Sequence, residues 1–75
     1  MGMIKVEYQA GGELGALKVP WFAGKSPGAV AVECADDYFL RVRTVPKNLT
    51  VRWPDGTKSA FDIDIEAWTF TATLR

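Results

Sequence analysis

Hydrophobic and polar residues alternate over the first ten positions. Ile4, Val6, Tyr8 and Ala10 fall on one side of an extended chain, and Lys5, Glu7 and Gln9 on the other. A period of two over this length predicts a half-buried β-strand, and Gly11-Gly12 ends it. The next stretch is less regular. Leu17 and Val19 fit a short strand that Pro20 stops, and Trp21-Phe22 leads into a loop carrying Gly24, Ser26, Pro27 and Gly28. Two adjacent aromatic rings in an extended chain point to opposite sides.

Alternation resumes at Ala29. Val30, Val32 and Cys34 share one side as far as Ala35, and Asp36-Asp37 reads as a turn. Tyr38, Leu40, Val42 and Thr44 then face away from Phe39, Arg41 and Arg43. This pattern predicts two more strands, in keeping with the β-branched content. A helix near 27–38 competes, with Ser26 as its N-cap and Pro27 at its first position.

Pro46-Lys47-Asn48 makes the next turn, after which Leu49, Val51 and Trp53 alternate with Thr50 and Arg52. Trp53-Pro54-Asp55-Gly56-Thr57 has the chemistry of a three-residue hairpin loop closed by a glycine bulge. It is similar to turns in several unrelated small β-modules and identifies a hairpin, not a family. With Trp53 facing Thr57, Val51 faces Ser59 and Leu49 faces Phe61, so the apolar residues meet on one side. Phe61, Ile63 and Ile65 continue that side. The phase then shifts before Trp68, Phe70, Ala72 and Leu74, which predicts a bulge or bend near Glu66-Ala67.

These elements predict one domain over residues 1–75, all-β: a small antiparallel barrel or sandwich of five to six strands, SH3-like or OB-like in size. Residues 29–75 are expected to form a meander. An α+β fold with the helix near 27–38 is the alternative.

Composition narrows the function classes. Nine basic and nine acidic residues give zero net charge, against the basic excess of a non-specific nucleic-acid binder. The chain has no histidine and a single cysteine, Cys34, which removes the commonest bases, zinc ligands and disulfides. Cys34 reads as a buried structural thiol. No signal-peptide or membrane-length apolar run occurs, so the expected location is cytoplasmic with no membrane partner. Gly24-Lys25-Ser26 lacks the upstream glycine of a phosphate loop. No enzymatic activity, metal or cofactor is expected.

Three groups of residues remain as candidate sites. If residues 38–44 are a strand, Arg41 lies beside Arg52 and Arg43 beside Thr50, with Lys58 next to Arg52 and Phe39 on the same face. Such a face suits phosphates and a stacked base, and with Glu33 paired to Arg41 it would instead be a solvated sheet face. Asp62, Asp64 and Glu66 line one side of a strand, as a charged solvent face rather than a metal site. Trp21 and Phe22 precede a glycine- and proline-bearing loop, where an aromatic serves either as a contact for a partner protein or as a plug for a barrel end. The expected function is a non-enzymatic protein-interaction or assembly module contacted through Trp21 and Phe22. The alternative is a nucleic-acid-binding barrel using Arg41, Arg43, Arg52, Lys58 and Phe39. The uncharged last strand, Trp68 to Leu74, is the expected edge for a homodimer.

Overall fold

The computed structural model describes residues 2–22, 24–67 and 69–75. Five antiparallel strands form one curled, half-barrel sheet, and a single helix packs on its inner side. The chain runs β1 (Gly2–Ala10), β2 (Glu13–Trp21), α1 (Pro27–Val42), β3 (Asn48–Arg52), β4 (Lys58–Glu66) and β5 (Thr69–Leu74). The strand order is β2-β1-β3-β4-β5, so α1 carries the chain across β1 between β2 and β3.

The antiparallel sheet bears out the small β-barrel-like reading, and the alternation in β1 has the expected inward residues Val6, Tyr8 and Ala10. The β3–β4 hairpin has the expected register, with Val51 opposite Ser59 and Leu49 opposite Phe61. Its loop closes through Gly56 N–H to Trp53 O (2.9 Å) and Trp53 N–H to Thr57 O (2.8 Å), with Gly56 at φ +91°.

Residues 13–21 form one full strand rather than a short piece. Gly11 and Gly12, at φ +54° and +85°, make a two-residue turn that pairs β1 with β2 along its whole length. Positive φ at both turn positions is the requirement that Gly-Gly meets without a steric cost. Pro20 does not stop the strand, because β2 is a sheet edge where a missing N–H costs no ladder bond.

The two strands expected over 29–44 are one helix, so the meander covers β3 to β5 only. The physical reason lies in the spacing. Val30, Cys34, Tyr38 and Val42 are four residues apart, which satisfies a period of two and a period near 3.6 alike. The buried Ala31 and Ala35, adjacent to that row, fit the helix alone. Ser26 caps it by accepting from Ala29 N–H (3.2 Å), Pro27 opens it, and Arg43 ends it in the left-handed conformation. The core is Val6, Tyr8, Val19, Leu49, Val51, Phe61 and Ile63 of the sheet under Val30, Cys34 and Tyr38 of the helix.

The expected bend near Glu66-Ala67 is a reversal. Ala67 takes φ +50° and Glu66 pairs with Thr69, so β5 returns antiparallel along β4. The start of the predicted last strand, Trp68, lies outside the described residues. Arg75 N–H donates to Ala60 O (3.0 Å), and the ladder's alternation turns the backbone of Phe70, Ala72 and Leu74 toward the free edge. The first turn of α1 stands against that edge: a Cβ at Gly28 would lie 3.5 Å from Ala72 O.

Candidate functional site: an aromatic groove at the helix start

Trp21 is the last residue of β2 and shares the inward parity of Leu17 and Val19. Trp53 follows β3 with the inward parity of Leu49 and Val51. Because β1 pairs with both β2 and β3, the two tryptophans converge beside Ile4 at the same end of the sheet. Their ring centroids are 6.1 Å apart and their planes cross at 64°. Both are half-buried against the core. Trp53 Nε1–H donates to Ser59 Oγ (2.9 Å), which fixes the ring.

Pro27, from the first turn of α1, and Pro54 complete an open groove of about 420 Å³. Asp55 stands at its rim and, among the described residues, is the one charged side chain lining it. The hairpin loop orients that carboxylate. Asp55 Oδ1 accepts from Thr57 N–H (2.9 Å) and from Thr57 Oγ1–H (2.7 Å). These bonds, the side-chain one foremost, hold its carboxyl below the usual carboxylate range.

The loop between β2 and α1 is tied down beside the groove. Lys25 Nζ donates to Pro20 O (2.5 Å) and pairs with Glu33 (3.1 Å), with its side chain only 7% exposed. It also lies 5.9 Å from the Phe22 ring centroid. Trp21 and Phe22 therefore part company: Trp21 walls the groove, while Phe22 sits on the loop, 49% exposed. Trp53 and Pro54 are groove residues that the sequence did not single out. Their signal was the turn itself, which ends the inward row of β3 at a Trp-Pro pair.

The predicted basic face does not form as one surface. Arg52 and Lys58 are cross-strand partners on the sheet's outer side, as expected, and Glu7 pairs with Arg52 from β1. Lys5 and Lys18 face each other on the same side of the β1–β2 ladder. Arg41, Phe39 and Arg43 instead belong to α1 and its C-cap. Arg41 donates to Tyr8 Oη (2.6 Å) and pairs with Asp37 Oδ2 (3.3 Å). Tyr8 Oη–H in turn donates to Asp37 Oδ2 (2.6 Å). Burial, then the bond to Asp37, pushes the Tyr8 hydroxyl up to about 12. Phe39 packs edge-on against Phe70, with centroids 6.1 Å apart. Glu33 is engaged by Lys25 and not by Arg41.

Asp62, Asp64 and Glu66 do share one side of β4, where Asp62 pairs with Arg75 (2.6 Å). Among the described residues no three carboxylate or thiol groups cluster as metal ligands. Cys34 is buried and unbonded, and burial pushes its thiol up to about 12. No helix is long and apolar enough to cross a membrane among the described residues. No family model, curated protein or solved structure matches the chain.

Proposed function

We propose that this domain is a non-catalytic protein-interaction module whose contact surface is the Trp21–Trp53 groove. The observation that carries the reading is the meeting of two half-buried tryptophans in an open, apolar cleft with proline on two sides. A cleft of about 420 Å³ lies within the usual size range of ligand sites. Trp is the residue type most enriched among interface hot spots, and aromatic grooves accept extended, proline-containing segments of partner proteins. The ties of Lys25 to Pro20 and Glu33 and the Ser59 bond hold the walls in place before any partner arrives, which lowers the ordering cost of binding.

The test is selection from a random peptide display library. Peptides recovered on the wild-type domain are expected to lose about 30-fold or more in affinity on Trp21→Ala and on Trp53→Ala. Circular dichroism checks that each variant is folded. Peptides that bind the folded Trp21→Ala domain unchanged would overturn the reading. Single-stranded DNA binding that falls steeply with salt and with Arg52→Ala/Lys58→Ala would favour the nucleic-acid reading in its place.

A further inference from the structure

Among the described residues the groove's lining carries one charged side chain, and its charge is negative. Ile4, Trp21, Pro27, Trp53 and Pro54 supply apolar walls, and Asp55 supplies a carboxylate at the rim. We propose that the groove is selective for an alkylammonium anchor, the chemistry of a lysine side chain or its methylated forms, presented by a partner protein. The proposal deepens the reading of the groove as a partner site and rests on it.

Three observations carry it. The first is the pair of tryptophans, packed edge to face with planes crossing at 64°, that both line the groove. A cation within about 6 Å of an indole centroid is attracted by the ring's quadrupole, most strongly for Trp. The second is charge complementarity. An apolar wall alone would take any aliphatic side chain, but the Asp55 carboxylate favours one that ends in a positive charge. The third is the state of the carboxylate itself. Oδ1 already accepts two bonds from Thr57, while Oδ2 has no hydrogen-bond partner among the described residues. A guanidinium fork is best matched by both oxygens of a carboxylate, whereas an ammonium is a point charge that needs only one. The free Oδ2 therefore suits an ammonium, whose alkyl stem lies along the apolar wall.

The experiment compares two probes of the same shape, choline and 3,3-dimethyl-1-butanol, which differ by the charge of one atom. Each is titrated into the full chain at constant ionic strength, and the indole N–H resonances of Trp21 and Trp53 are followed by NMR. Choline is expected to bind about five-fold more tightly than the neutral probe. Asp55→Asn keeps an oxygen acceptor for Thr57 but removes the charge, and it is expected to bring the two affinities to parity. Equal binding of both probes to the wild type overturns the ammonium preference while leaving an apolar partner groove intact. Choline preference that survives Asp55→Asn overturns the role of the carboxylate. If neither probe moves either indole resonance, the ammonium site is rejected, and the groove is then judged by the peptide selection alone.

Discussion

The β1–β2 hairpin ends differently at its two extremities. At the turn end, Tyr8 reaches across to Asp37 and Arg41 of the helix, and its hydroxyl donates to the one and accepts from the other. At the other end, Ile4 and Trp21 meet Trp53, and among the described residues the helix lines the groove through Pro27. Both ends use aromatic residues from the same two-strand unit. The turn end spends its hydrogen-bonding groups on joining helix to sheet, whereas the groove end leaves apolar area and one carboxylate facing outward. A small domain needs its polar ties for its own stability, so a surface free of them is the better candidate for recognition.

Gly15 gives the most forceful way to break the closed end. It lies opposite Tyr8 in the ladder, and a Cβ there would overlap both the Tyr8 ring and the Arg41 guanidinium. The tyrosine ring fills the space that a side chain on the edge strand would occupy. Gly15→Ala is expected to destabilise the domain by about 3 kcal/mol, measured by urea unfolding. Tyr8→Ala in the same chain should recover part of that loss, because the two changes share one space. Additive losses would show that Gly15 matters for its backbone alone.

Alkali attacks the closed end and the core together. Cys34 binds its proton up to about pH 12 in the folded chain, against an ordinary 9.0, through burial first and then the carboxylates of Asp37 and Glu33. Tyr8 does so up to about 12, against an ordinary 10.0. In both cases the folded state holds the proton more tightly, so stability is fully present below the ordinary value and falls as pH rises toward 12. Between pH 8 and pH 10 the loss is expected to be on the order of 2 kcal/mol, read from urea midpoints. Cys34→Ala, compared with its own value at pH 8, should lose less. An unchanged pH profile in that variant would show that the thiol does not titrate in this window.

The smallest expected effect sharpens the contrast between the ends. Tyr8→Phe removes a hydroxyl that donates to Asp37 and accepts from Arg41, and it should cost about 1 to 2 kcal/mol of stability. Peptides selected on the groove should bind this variant as they bind the wild type. Weakened peptide binding in a folded Tyr8→Phe domain would show that the two ends are coupled.

Much of the sheet was legible because its determinants are local. The alternation in β1, the Pro54-Asp55-Gly56 turn and the register of Leu49 with Phe61 follow from neighbours along the chain. The helix was harder to read, since Val30, Cys34 and Tyr38 satisfy both periodicities and only the small buried Ala31 and Ala35 separate them. Once residues 38–44 are placed in α1 and its C-cap, Arg41 leaves the sheet and joins Tyr8, so the predicted basic face divides.

By itself, then, the sequence determined an antiparallel β-domain, its β3–β4 hairpin and the prominence of Trp21. It did so through period, turn chemistry and residue size, all of which act over a few residues. The tertiary structure decided which strand lies beside which. By placing β1 between β2 and β3 it brought Trp21 to Trp53, and by laying α1 across the curl it brought Arg41 to Tyr8. Those meetings join segments about 30 residues apart. They depend on burying one shared apolar core, whose geometry no local pattern encodes.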